Sequence, residues 1–171
     1  MQSQNAKDMR FMNQSISSQN PSNVPAKESV WDYPRPPRVE SVPEKISIQF
    51  AGEIIVESTR AIRVLETSHP PTYYIPKEDF LPGILTKASG QTFCEWKGNA
   101  TYWTITLNNR AVEKVAWSYE TPTPPFKSIQ GYIAVYSAPM DGCFVGDEQV
   151  QSQKSNFYGG WITKNLTGPF K

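Results

Sequence analysis

The sequence predicts an all-β, mainly antiparallel domain with little helix. Three observations carry this reading. Apolar and polar residues alternate at a period of two in several short runs, as in Ile46, Ile48 and Phe50. Turn-forming residues separate those runs at short intervals. Aromatics make up 12% of the chain beside 15 prolines, a composition that suits strands and turns better than helices.

Residues 1–29 are rich in Gln, Asn and Ser and show no apolar period. They bury too little to offset the entropy of ordering, so they are expected to form a disordered leader. Residues 30–45 form a Pro-rich arm around Trp31-Asp32-Tyr33-Pro34-Arg35-Pro36-Pro37-Arg38. Its prolines hold it extended. Trp31 and Tyr33 would anchor it on the domain, Arg35 or Arg38 could reach an anionic ligand, and the arm could instead dock a protein partner.

The body follows. Ala51-Gly52-Glu53 turns the strand at 46–50 into Ile54 and Val56, and Ser58-Thr59 turns the chain again ahead of Ile62 and Val64. Lys77-Glu78-Asp79 can make one helical turn after Pro76, and residues 84–89 read as a short helix or a bridging segment. Trp103, Ile105 and Leu107 share one strand face, with Tyr102, Thr104 and Thr106 on the other. Asn108-Asn109 turns that strand into Val115, Trp117 and Tyr119. A stiff Pro loop at 121–125 leads to a last strand at 132–136. A β domain is expected over 30–140. Residues 141–171 carry Phe144, Phe157, Tyr158, Trp161 and Phe170, and are expected to pack on it as a C-terminal extension.

The bulk numbers exclude some functions. A length of 171 residues suits one domain with extensions. Lys+Arg 17 against Asp+Glu 16 gives a formal net charge of +1, so neither nucleic acid nor a membrane surface is expected as partner. The N-terminus lacks an apolar signal core, and no run approaches the ~20 apolar residues of a bilayer span. A cytoplasmic protein with two free thiols, Cys94 and Cys143, is the expectation. One His, two Cys and no Cys-x-x-Cys are too few for structural zinc. No phosphate-loop or dinucleotide glycine motif occurs. No metal and no cofactor are predicted.

Chemically able side chains concentrate between His69 and Trp103. Cys94 is either a thiolate nucleophile, with His69 as base and Lys97 lowering its pKa, or a small buried apolar residue beside Phe93. His69 orients a ligand or bonds to Glu66. Lys97, between Trp96 and Gly98, meets an anionic ligand or spreads along the surface. Tyr73, Tyr74, Tyr102 and Tyr119 suit a pocket lining and a β core equally. Asp79 caps a turn or does chemistry.

Several blocks, in order, resemble a known family: Trp31 to Arg38, Ser58-Thr59-Arg60-Ala61, Leu65-Glu66-Thr67-Ser68-His69-Pro70-Pro71-Thr72-Tyr73-Tyr74-Ile75-Pro76, Cys94-Glu95-Trp96-Lys97-Gly98 and Ala116-Trp117-Ser118-Tyr119. The set is similar to a small bacterial family called domain of unknown function 427, also carried under a nucleotidyltransferase-type label. Phe157-Tyr158-Gly159-Gly160-Trp161-Ile162-Thr163 resembles its extended cyanobacterial form. The resemblance implies a β-tent-like domain, a shape shared with methionine sulfoxide reductase B. It also implies a cleft lined from the His-Pro-Pro, Tyr-Ile-Pro and Cys-x-x-Lys-Gly blocks. Those relatives commonly carry a four-cysteine zinc site that this chain cannot supply.

The expected function is binding of a small polar or anionic molecule by Tyr73, Tyr74, Cys94, Lys97, Gly98, Tyr102 and Tyr119. Acid–base work would fall to His69, Glu66 or Asp79. The alternatives are a non-catalytic protein-interaction module and the nucleotidyltransferase of the family label, for which no motif speaks.

Overall fold

Short alternating runs closed by tight turns give fifteen strands among the described residues, 26–171, of this computed structural model. β1 (Glu28–Ser29) is followed by a 3-10 turn at Val30–Asp32 and by β2 (Arg38–Ser41). β3 (Ile46–Phe50), β4 (Glu53–Ser58), β5 (Ile62–Leu65) and β6 (Thr72–Tyr74) come next. A meander of long strands follows: β7 (Leu85–Cys94), β8 (Gly98–Leu107) and β9 (Arg110–Ser118). The longest helical run among the described residues is the 3-10 segment Pro124–Ile129, which leads into β10 (Ile133–Val135). β11 (Gly142–Val145), β12 (Glu148–Gln149), β13 (Gln151–Ser152), β14 (Trp161–Ile162) and β15 (Leu166–Thr167) complete the chain.

Three sheets carry the architecture, in strand orders β10-β9-β8-β7, β12-β11-β3-β4 and β2-β5-β6. All their pairings are antiparallel, as predicted; only the two-residue pair β1–β15 is parallel. The two-residue hairpins close where the sequence placed them. Ala51 and Gly52 both take positive φ between Phe50 and Glu53, and Asn108 and Asn109 do so between Leu107 and Arg110. That geometry matches the right-handed strand twist.

The largest apolar cluster lies between the sheets and includes Ile46, Ile48, Phe50, Trp103, Ile105, Ile133 and Trp161. A second holds Val64, Tyr74, Ala100, Trp117, Tyr119, Phe126 and Ile129. β6, β8 and β10 lie between the two clusters and alternate. Tyr73, Trp103, Ile133 and Val135 serve the first cluster, and Tyr74, Ala100 and Ala134 the second.

Several expectations meet a different arrangement. Residues 1–25 of the leader lie outside the described residues, and Glu28 and Ser29 are already in a strand. Residues 84–89 are not helical. Leu85–Lys87 pair with Trp103–Ile105, and Gly90, at φ +89°, falls in the register shift between Lys87 and Gln91. Strand pairing with the long β8 overrides local propensity there. The arm is held by buried Val30 and Tyr33, whereas the Trp31 ring is half exposed and donates Nε1–H to the Pro169 carbonyl at 2.7 Å. The sheets continue past residue 140, since β11 pairs with β3. In the tail Trp161 is buried, stacks on Tyr73 at 5.1 Å and donates to the Val135 carbonyl at 3.0 Å. No helix among the described residues is long and apolar enough to cross a membrane.

Candidate functional site

The β7–β8 hairpin builds one wall of the site. Its strands end at the pair Cys94 and Gly98, leaving Glu95, Trp96 and Lys97 as the connecting loop. Gly98 takes φ +101°, the left-handed region that favours glycine, and a Cβ there would stand 3.5 Å from the Thr121 carbonyl. The Pro-rich loop after β9 braces this turn. Thr123 donates its hydroxyl to the Trp96 carbonyl at 2.5 Å and its N–H to the Lys97 carbonyl at 3.2 Å. Gly98 therefore shapes the turn that presents Lys97, rather than lining the site itself.

Lys97 is turned inward and only 6% exposed. Its ammonium donates to Glu66 Oε1 at 2.5 Å, with the Tyr119 and Phe126 rings 5.7 and 5.9 Å away. Burial alone would lower its pKa, but the Glu66 carboxylate outweighs that and raises it, so Lys97 stays charged at neutral pH. The Glu66 carbonyl accepts the His69 backbone N–H at 3.0 Å, which ties His69 to the same turn.

A cleft of about 420 Å³ opens beside this pair. That is a volume in the range of small-molecule sites. It collects Glu66, His69, Tyr74, Cys94, Lys97, Tyr102 and Tyr119, seven of the ten residues singled out from sequence. Burial pushes the Tyr74 and Tyr119 phenols well above their ordinary pKa and Tyr136 up to about 12, so these three remain hydroxyl donors at neutral pH. Tyr102 shares a hydrogen bond of 2.7 Å with Thr92. Burial lowers the pKa of His69, with Lys171 and Lys97 adding to the effect and Glu66 opposing it.

The other three expected residues lie elsewhere. Tyr73 faces the main core against Trp161, because neighbours on a strand point to opposite faces and Tyr74 takes the cleft side. Asp79 is engaged by Arg60 at 2.6 Å and by the Ser58 hydroxyl at 2.6 Å, away from the cleft. Gly98 is accounted for by its turn. Both cysteines are free, and burial raises the Cys143 thiol in the main core.

Sequence reasoning offered Arg35 as a residue that could reach a ligand, but missed the tail's contribution to the cleft. Pro34, Arg35 and Pro37 of the arm line the cleft, as do Gln153, Phe157, Tyr158, Gly159 and Lys171 of the tail. The only signal available was the tail's unusual load of aromatics. Gly159 and Gly160 let the tail approach closely. A Cβ on Gly159 would fall 2.4 Å from the Trp117 ring, and one on Gly160 2.5 Å from the Pro70 carbonyl. Tyr136 holds this segment by donating its hydroxyl to the Phe157 carbonyl at 2.6 Å.

The arrangement offers one charged pair, five phenols and one imidazole within an aromatic cleft. Such a set can bind a polar group and move a proton. None of the curated proteins matches the chain. The family described as "Domain of unknown function (DUF427)" matches residues 38–146, a span holding the Glu66–Lys97 pair, His69 and the long β7–β9 meander, and the chain belongs to that family.

Proposed function

We propose that the cleft binds a small polar or anionic molecule, with Glu66 and His69 placed for acid–base chemistry on it. The observation that supports this most is Lys97. Taking an ammonium and a carboxylate out of water costs several kcal/mol, about as much as their attraction returns, so such a pair is poor evidence of a stabilising role. Here it borders a cleft and has one carboxylate partner, which leaves ammonium hydrogens available to a ligand oxygen. Arg35, Lys97 and Lys171 outnumber Glu66 and Glu95 along the lining and favour a negative group. Cys94 serves as lining in this reading, since no base is bonded to its thiol among the described residues.

The test is a thermal-shift screen of the full chain against small carboxylates, phosphate esters and neutral polar metabolites. A hit should stabilise the parent and lose that effect in Lys97→Met and in His69→Ala, both still folded by circular dichroism. A screen with no stabilising compound, or hits that both variants keep, overturns the reading.

A second reading is supported by the exposed Trp31 ring beside the prolines of the arm: a protein partner docking there. Cytoplasmic location is likewise proposed, supported by two unpaired cysteines.

A further inference from the structure

The ligand class can be narrowed from one buried amide and one ring of exposed aromatics. Gln153 is 5% exposed, and its side-chain amide has three partners. Oε1 accepts the Gly160 N–H at 3.0 Å, while Nε2 meets the Lys171 carbonyl oxygen at 2.5 Å and His69 Nδ1 at 3.1 Å. The reversed amide would set an NH2 against the Gly160 N–H and an oxygen against the Lys171 oxygen, so only one orientation is satisfied. Both Nε2 hydrogens are then committed, one of them to His69 Nδ1. That nitrogen is therefore the acceptor of the imidazole, and the neutral ring carries its proton on Nε2.

Nε2 has no hydrogen-bond partner among the described residues. The one unpartnered, fully buried side-chain polar atom among them is Ser137 Oγ, so His69 Nε2 is open, on a residue that lines the cleft. The ring itself is held edge-on to Tyr158 at 4.5 Å. In its neutral form His69 thus presents a fixed N–H to the cleft, an arrangement that can recognise an acceptor on the ligand.

Four of the seven large apolar side chains exposed among the described residues gather at this cleft. Phe93, Trp96, Phe157 and Tyr158 are all exposed and all line this cleft. Exposed rings at one opening form a stacking surface for a flat partner. We infer that the cleft takes a flat aromatic molecule bearing a carbonyl or carboxylate oxygen that meets His69 Nε2–H, and that Gln153 is the positioning residue keeping that proton on Nε2. This rests on the cleft being the binding site.

The chain has one histidine, so a long-range 1H–15N spectrum of labelled protein reads this imidazole alone. At neutral pH the parent should show a protonated Nε2 and a bare Nδ1. Read at a pH where the ring is neutral, Gln153→Glu puts an acceptor at Nδ1 and should move the ring's one proton there, a change that a merely structural glutamine would not cause. Binding is read by quenching of Trp96 and Trp117, which line the cleft, with three probes: 2-acetonaphthone, 2-ethylnaphthalene and cyclohexanecarboxylate. The ketone should bind about tenfold tighter than the hydrocarbon, the range of one hydrogen bond, and cyclohexanecarboxylate should bind weakest. Gln153→Glu should erase the ketone's advantage.

A parent imidazole protonated on Nδ1 overturns the inference. So do equal affinities for the two naphthalenes, which would leave the cleft as a binding site but remove His69 as the reader of an acceptor. If no probe quenches the tryptophans, the cleft reading falls as well. Should Gln153→Glu fail to fold, the parent's tautomer and the two naphthalenes still decide.

Discussion

Among the described residues, Arg63 and Lys97 are both largely withdrawn from water in ion pairs, and their surroundings differ. Arg63, on β5, is closed off. Its guanidinium grips Glu28 through Nη1 and Nη2 at 3.0 and 2.9 Å and Glu40 through Nε at 2.6 Å, and Tyr33 donates to Glu28 from the other side. The planar fork has found carboxylates in the geometry it fits. Those carboxylates belong to β1 and β2, so the cluster ties the N-terminal strands to β5. Lys97 has one carboxylate, two rings and a cleft. The cavity beside Arg63 is the larger of the two, about 760 Å³ against about 420 Å³, and is lined by Glu28, Glu40, Glu44, Asp147 and Glu148. Size and buried charge therefore do not pick out the site. Donors left uncommitted beside a cleft do.

The sharpest way to break this comparison is Arg63→Met. Removing the shared cation of this partly buried ion cluster leaves two carboxylates without it, and should cost about 2–3 kcal/mol. For a chain of this length that is a fall in Tm of roughly 4–12 °C. Chemical denaturation would read it. A variant with unchanged Tm would remove the assignment of Arg63 as a structural clamp.

Lys97→Met should cost less, about 1–2 kcal/mol, because Glu66 keeps access to solvent at the cleft and the methionine refills the space between the rings. Its larger effect should be on binding, about tenfold or more for any ligand found in the screen. The reverse pattern, severe unfolding with binding retained in the surviving fraction, would make Lys97 the clamp and Arg63 the candidate.

pH separates the two centres by sign. Burial alone would raise the Glu28 pKa, but its bonds to Arg63 and Tyr33 outweigh that and lower it. A lowered carboxylate contributes stability that is present above its unfolded pKa of about 4 and is lost as pH falls through the folded value. Lys97 is raised, so its contribution is present below about pH 10.4 and is lost as pH climbs through the folded value. His69 is lowered, mainly by burial, so stability also declines on acidification below about pH 6.5, where the unfolded chain gains a proton that the folded one refuses. Unfolding free energies measured across pH should show the mild loss below neutrality disappear in His69→Gln. The acid limb near pH 4 should weaken in Arg63→Met, and the alkaline limb in Lys97→Met.

Much of this was legible in the chain, and the illegible part has a physical reason. Gly52 and Asn108-Asn109 announce their turns because Gly and Asn tolerate positive φ, and Ala51 takes it in the same hairpin without such a signal. Strand alternation places Trp103 in the core and Tyr102 on the cleft side. The same rule, applied to Tyr73 and Tyr74, would have barred both from one cleft. The Glu66–Lys97 pair spans 31 residues and the His69–Gln153 contact 84, and neither leaves a local pattern. The arm and the tail meet at the cleft only because β2 joins β5 and Gly159 and Gly160 permit close packing, facts of tertiary pairing that no window of sequence contains.

The smallest stability effect belongs to Phe93, and it sharpens the comparison most finely. Its ring is 74% exposed on the cleft rim, so folding does little to hide it from water. Phe93→Ser should change unfolding free energy by no more than about 0.5 kcal/mol, the usual range for a surface site. If the rim aromatics only decorate the surface, nothing else should change. If they stack on a flat ligand, losing one ring removes roughly 0.5–1.5 kcal/mol of aromatic contact, a two- to tenfold weakening. Fluorescence titration with 2-acetonaphthone reads that difference on a fold of unchanged stability. Unchanged affinity for the naphthalene would detach the rim from binding and leave the charged pair as the cleft's only argument.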